Sequence, residues 1–352
     1  QISPSMLKQL LTLGAAVLLP LASIQTDVMA AEHTNPFLQP YGTQFNIPPF
    51  EKITYDDYLP AVKQGIAERK QEIDAIVKNR ATPDFDNTIL ALEKSGQLLQ
   101  KVMLVFSSLD ETNSSPEMVK LSEIIYPMTS EASDEVMMND GLFKKVKYVY
   151  DNREKMGLTG DKKRAVEETY KSFVREGALL SPEKKEELKK LNSKMTDLFL
   201  KFNKNLLDDT NGFELWVDDA SRLSGIPASN VANAAEEAKA RGAEGKWLFT
   251  LHAPSRLPLL QYADDRQLRH DMYVGYISLA SKGEHNNLPV INEILKVRTA
   301  KARLLGYKDF ASYMTANVMA KTPDNAENLL LKIWKPAVKR VHEEVAEMQA
   351  LA

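Results

Sequence analysis

Five histidines are the only imidazoles that this chain of 352 residues could offer a metal: His33, His252, His270, His285 and His342. A helix-borne zinc site needs two histidines one turn apart, with a glutamate beside the first as general base for the metal-bound water. No two of the five lie three to five residues apart. His342-Glu343 begins like that pattern, but the next-turn position is Ala346, so the pair reads as a solvated, charged helix face. His270 stands among Arg266, Arg269 and Asp271 and reads as a surface ion-pair position. His252, with Pro254 after it, ends a β-prone run and is the histidine least readily explained as structural. No catalytic, cofactor-binding or metal-binding role is assigned to any residue.

Other chemistries are excluded in turn. There is no cysteine, so disulfides, thiolate zinc sites, iron–sulfur clusters, cysteine nucleophiles and a lipoprotein anchor are all out of reach. Gly242-Ala243-Glu244-Gly245-Lys246 looks faintly like a phosphate loop, but the spacing is wrong and Trp247 stands where a hydroxyl should hold magnesium. A turn before a strand is the expectation there. There is no G-x-G-x-x-G run and no G-x-S-x-G elbow. Asp264-Asp265 reads as helix N-terminal charge that complements the dipole. A net charge of −3 with no basic block argues against a nucleic-acid partner.

The elements that must position any site are mostly helical. Pro36, Pro40, Pro48 and Pro49 keep residues 35–50 extended. Thr54-x-x-Asp57 opens a first helix with Leu59, Val62, Ile66, Ile73 and Val77 on one stripe. A second helix is expected from Asn87 to Leu109, with Ile89, Leu92, Leu99, Met103 and Phe106 on one side. Ser115-Pro116 and Ser181-Pro182 are helix starts, and Gly157 and Gly177 are stops. The long helix after Pro182 carries Leu188, Leu191, Met195, Leu198, Phe202 and Leu206. Phe213–Val217 and Lys246–Leu251 are β-prone and flank an Ala-rich helix, Ala228–Ala240. Helical patterning resumes at Ser255 and runs to the end, punctuated by Gly306 and Thr322-Pro323. Phe199, Phe202, Trp216, Trp247 and Phe249 are expected in the core.

The two ends carry their own expectations. Lys8, the apolar run Leu10 to Ile24 broken by Pro20, and Val28-Met29-Ala30 compose an export signal cut before Ala31, with Met6 as a natural start. The run is too short to span a bilayer. At the far end, Ile333, Trp334, Val338, Val341, Val345 and Met348 form a stripe that stops at Ala352 without a Gly, Asn or Pro signal, so the natural protein is expected to continue. The expected organisation is a signal over 1–30, an N-terminal helical region over 31–210, a small β-containing insert over 211–252, and a helical region over 253–352.

Several segments resemble the thimet-oligopeptidase family of zinc peptidases, and within it the bacterial peptidyl-dipeptidase (dipeptidyl carboxypeptidase) branch. They are Asn35-Pro36-Phe37-Leu38, then Pro48-Pro49-Phe50 with Tyr58-x-Pro60-Ala61, and, most sharply, the unbroken run from Pro83-Asp84-Phe85-Asp86-Asn87-Thr88 to Ser95-Gly96. Leu304-Leu305-Gly306-Tyr307 and Met319-Ala320-Lys321-Thr322-Pro323 follow in the family's order. The resemblance implies a mainly α, multi-helical chain that is the N-terminal half of a channel-containing, neurolysin-like zincin fold, with a small β insert near 213–251. It implies a parent enzyme, exported to the periplasm or secreted, that uses zinc to remove C-terminal dipeptides from short peptides. The family's zinc ligands lie in its second half, so no ligand carries over, and this chain is expected to bind no zinc and to be inactive alone. Its implied partners are short peptides and the missing C-terminal catalytic half, without nucleic acid and without membrane once the signal is cut. An oligopeptidase A-like endopeptidase fragment and a non-enzymatic helical peptide-binding module are the alternatives.

Overall fold

The computed structural model describes residues 33–352, and the export signal read from residues 1–30 lies outside them. The fold is 71% helical with one small two-stranded sheet among the described residues, a mainly α protein as the patterning required. No described helix is long and apolar enough to cross a membrane. The chain divides into two units at Ile53–Thr54. In the first, residues 33–53 are extended apart from two single turns of 3-10 helix, Pro36–Leu38 and Gln44–Asn46. Asn35 caps the earlier turn, its Oδ1 accepting the Phe37 N–H at 2.9 Å.

The second unit starts with helix α1, Tyr55–Lys78. Thr54 precedes it, and the Thr54 N–H donates to Asp57 Oδ2 at 2.7 Å, as the Thr-x-x-Asp spacing foretold. Helices α2 (Gln97–Thr112), α3 (Pro116–Met137), α4 (Asp140–Asn152) and α5 (Gly160–Arg175) complete a bundle with it. Ser115 caps α3 through Oγ to the Met118 N–H, and Gly157 and Gly177 end their segments in the left-handed conformation. Ile73 and Ile76 from α1, Val136 from α3, Phe143, Val146 and Val149 from α4, and Val166 and Phe173 from α5 form one core. The long helix α6, Pro182–Gly212, packs against α3. Its Lys185 is buried and donates to the Met138 carbonyl at 3.1 Å and to Asp140 at 2.5 Å, fixing α6 to the α3–α4 junction.

One expected helix is not a single helix. In place of 87–109 the chain forms a π-helix, Phe85–Leu90, then a helical turn, Ala91–Glu93, a break at 94–96, and α2. The break has a physical cause. Gly96 takes φ +76°, its N–H donates to Glu72 Oε2 at 2.7 Å, and a Cβ on it would sit 2.7 Å from the Arg69 Cδ. Asp84 and Asn87 cap the π-helix reciprocally: Asp84 Oδ1 accepts the Asn87 N–H at 2.7 Å, and Asn87 Oδ1 accepts the Asp84 N–H at 3.0 Å.

Past α6, strands β1 (Leu215–Val217) and β2 (Trp247–Phe249) pair antiparallel around helix α7, Ala228–Ala240. Helices α8 (Ala253–Tyr262) and α9 (Arg266–Ile277) pack on them. One core gathers Val217, Ala234, Phe249, Leu259, Leu268 and Met272. Two aromatic expectations fail. Phe249 is buried, but Phe199 and Trp216 are exposed. Successive strand residues face opposite ways, so Val217 turns inward and Trp216 outward, where its indole N–H donates to Glu214 at 2.9 Å. Helices α10 (Leu288–Leu304), α11 (Phe310–Thr315) and α12 (Pro323–Leu351) finish the chain. The helical run expected from Ser255 is thus interrupted at 263–265, where Asp265 caps α9, and over 278–287. Buried Asn287 fastens that second loop to α6, donating to the Phe202 carbonyl at 3.0 Å and accepting from Asn205 at 2.9 Å.

Candidate functional site

The histidines do not converge. His252 is exposed at the start of α8, and His270 is exposed on α9, 3.3 Å from Asp271 and 3.5 Å from Gln267, the surface position its neighbours suggested. His285 lies in the 278–287 loop beside Glu284. His342 is on the exposed face of α12, where Arg340 reaches Glu343 at 3.3 Å and Glu344 at 3.1 Å. Among the described residues no three His, Cys, Asp or Glu side chains are grouped so as to hold a metal ion. Gly242 and Gly245 take φ +76° and +86° in a turn that leads into β2, so this segment is a turn and not a phosphate cradle.

Three other features carry functional weight. The first is a cleft of about 870 Å³ between α1, the π-helix, α2, α3 and α5, lined by Arg69, Phe85, Leu92, Glu93, Ser95, Gly96, Leu99, Met103, Glu168 and Phe173 among others. The run from Pro83 to Gly96, the sharpest carrier of the family resemblance, supplies one whole wall of it. Nothing in the sequence pointed to Arg69, because the approach of α1 to Gly96 that brings it there is a tertiary contact.

The second is a polar chain that ties α10 and α11 to the bundle. Asn192 on α6 donates to Asp134 on α3 at 2.8 Å, and Lys301 on α10 donates to Asn192 Oδ1 at 2.9 Å. Lys301 also lies 3.5 Å from Glu176, whose other oxygen accepts the Tyr313 hydroxyl at 3.2 Å. Arg175 stacks on the Tyr313 ring and donates to its carbonyl at 2.9 Å. Burial raises the Asp134 carboxyl above its ordinary range, and burial with the nearby Glu176 charge pushes the Tyr313 phenol up to about 12. These groups hold elements together and none faces a space in which a reaction could run.

The third is α12. It is 29 residues long and none of them is buried. Leu330, Leu331, Ile333, Trp334 and Ala337 line a shallow, almost wholly apolar groove of about 460 Å³. Val341, Val345 and Met348 continue the exposed stripe along the helix, as its periodicity foretold. Apolar faces of this extent on a soluble chain mark surfaces that meet another surface.

Comparison with known proteins adds a lineage to this geometry. The profile of Peptidase family M3 matches residues 259–352, which hold most of α8 and all of α9–α12. A dipeptidyl carboxypeptidase of Salmonella typhimurium (strain LT2) is 35% identical over 317 residues, 90% of this chain and 47% of that protein. The dipeptidyl carboxypeptidase of Escherichia coli (strain K12) is 34% identical over 318 residues, and the oligopeptidase A of Salmonella typhimurium is 31% identical over 324. The chain spans about half the length of these curated relatives.

Proposed function

The chain belongs to the thimet-oligopeptidase family, peptidase family M3, and from that premise we propose that it is the N-terminal, channel-wall part of an exported zinc metallopeptidase that removes C-terminal dipeptides from short peptides. The observation that carries the reading is the identity with two dipeptidyl carboxypeptidases over 90% of this chain. The helical fold and the unburied apolar face of α12 support it, since a wall of a channel must present a surface to the opposite wall.

The donor set of this chain does not fit a zinc ion. Its histidines are scattered, and His342-Glu343 is spent on a charged helix face with Arg340. On this reading the ligands and the general base belong to the length of the family that this chain does not span, so no catalytic step runs through residues described here. What this chain contributes is shape: helices that exclude folded proteins, and surfaces along which an extended peptide lies. Its partners are short peptides and that catalytic half. The acidic net charge speaks against nucleic acid.

The experiment is hydrolysis of an N-blocked tripeptide by this chain and by a polypeptide of the relatives' full length that contains it. The longer protein should release a dipeptide, and a chelator should stop it. The chain alone should release nothing with or without added zinc. Zinc-dependent, chelator-sensitive turnover by the chain alone would refute the assignment of the site to the other half. Internal cleavage of longer peptides by the full-length protein, without dipeptide release, would favour an oligopeptidase A-like endopeptidase, the reading suggested by 31% identity over 91% of the chain. Export is tested by mass spectrometry of the periplasmic or secreted product, in which residues 1–30 should be missing. An intact N-terminus confined to the cytosol would refute it.

A further inference from the structure

The cleft walled by the π-helix has no part in the reading above, and one of its residues lacks a partner. Arg69, on α1, is half-buried, and its Nε is sealed from water without any acceptor. It forms no hydrogen bond and no ion pair within 4.0 Å among the described residues. The neighbouring Glu72 does not supply one, because its Oε2 is taken by the Gly96 N–H at 2.7 Å. The stem of Arg69 lies against Gly96, where any side chain would displace it. The guanidinium is therefore held in place at the cleft wall, and its charge is unanswered. Burying a cationic donor without an acceptor is costly, whereas a carboxylate can take two parallel N–H bonds from a guanidinium fork.

The rest of the wall states what the carboxylate must be attached to. Phe85, Leu92, Leu99, Met103 and Phe173 make the lining largely apolar. Glu168, the lining carboxylate on α5, is already neutralised by Lys171 at 2.9 Å and Arg164 at 3.0 Å. Glu93 stands exposed. The wall is also a π-helix, a geometry that costs hydrogen-bond quality and recurs at functional sites. Packing of an arginine stem explains the contact with Gly96, but it does not explain an unpartnered head beside an open space of about 870 Å³.

We propose that this cleft binds an amphiphilic carboxylate, its charged end held by the Arg69 guanidinium and its apolar body lying between the π-helix, α2 and Phe173. The free C-terminal residue of a peptide with an apolar side chain has that chemistry. The proposal rests on the cleft alone and stands whether or not the parent is a peptidase.

The test uses the full chain and three probes: a dansylated apolar tripeptide with a free C-terminus, the same tripeptide as its C-terminal amide, and inorganic phosphate as competitor. The acid should bind at least tenfold more tightly than the amide. Arg69→Met should bring the acid down to the amide's affinity and leave the amide unchanged, while Arg69→Lys should keep part of the preference. Phosphate should compete poorly because it has no apolar body. Equal binding of acid and amide, a preference that survives Arg69→Met, phosphate competing as well as the acid, or no binding at all would each overturn the proposal. Should the variants fail to fold, methyl resonances of the unaltered chain decide. Acid-specific shifts at Ile89, Leu92 and Leu99 support the site, and shifts confined to α12 refute it.

Discussion

Replacing Leu330, Ile333 and Trp334 together with Lys, Gln and Glu should abolish association of this chain while leaving its folding intact. In the native helix α12 these side chains are 67%, 56% and 65% exposed, and no residue of the helix is buried. Complete burial of a large apolar side chain contributes about 1.5–3 kcal/mol, so each of the three retains about 1–2 kcal/mol that only a partner surface can realise. Two copies meeting along the groove would gain about 6–12 kcal/mol from these six side chains, against an association cost of about 4–15 kcal/mol. That balance alone is near zero. Val341, Val345 and Met348, each more than half exposed, continue the same stripe and shift it towards association. A net of about 6 kcal/mol corresponds to a Kd in the tens of micromolar. Sedimentation velocity from about 1 to 200 µM should therefore show a concentration-dependent shift in the native chain, accompanied by binding of an apolar dye, and neither in the triple variant. Urea melts of the two should coincide, because the substituted side chains leave no cavity. A native chain that stays monomeric and binds no dye over that range would refute the argument, and would mean that the stripe is satisfied within the chain.

Other substitutions test the framework. Lys185→Met should destabilise the chain by about 1–2 kcal/mol in urea, because the Met138 carbonyl loses its donor, whereas Asp140→Asn should stay within about 0.5 kcal/mol because Asp140 is exposed and rehydrates. Equal losses would assign the energy to the ion pair instead. Gly96→Ala should cost more than about 1–2 kcal/mol, the left-handed backbone strain plus the contact with the Arg69 stem, in the same assay. Burial raises the Asp134 carboxyl, so its contribution to stability is fully present below pH 3.8 and is lost as pH rises through the raised value. Asp134→Asn should flatten the pH dependence of the melting temperature in that window, and an unchanged profile would show that the Asn192 and Lys301 contacts offset the burial.

Much of the helical order was legible before any coordinates, and for local reasons. Caps are short-range, so Thr54-x-x-Asp57, Ser115-Pro116, Ser181-Pro182 and Thr322-Pro323 each mark a helix start that the backbone obeys. Ala228–Ala240 forms the helix its alanines require. What was not legible depended on distant partners. A 3.6-residue stripe through Ile89, Leu92 and Leu99 reads as one α-helix, and only the approach of α1, with Glu72 pinning the Gly96 N–H, breaks it. Trp216 and Phe199 looked like core because large aromatics usually are, yet which strand or helix face turns inward is a matter of tertiary packing. Among candidate site residues, the histidines were read as unconnected from spacing alone, and their positions agree. Arg69 could not be found that way, since an unpartnered guanidinium is defined by what fails to approach it.

The π-helix at Phe85–Leu90 makes this stretch of the chain countable. A π turn closes its hydrogen bonds over five residues instead of four, so it holds one residue more than the α-helix it interrupts. Deleting any one residue between Phe85 and Leu90 would let the segment relax to α geometry, and everything after it would turn by about 100° about the helix axis. Glu93 and Ser95 would rotate off the cleft wall, the Gly96 N–H would leave Glu72, and the Arg69 stem would lose its seat. The turn at 79–84 next door accepts a change of length at the cost of a slightly longer loop. A lineage that keeps this cleft can thus gain or lose residues on the near side of Asp84, and none between Asp84 and Gly96.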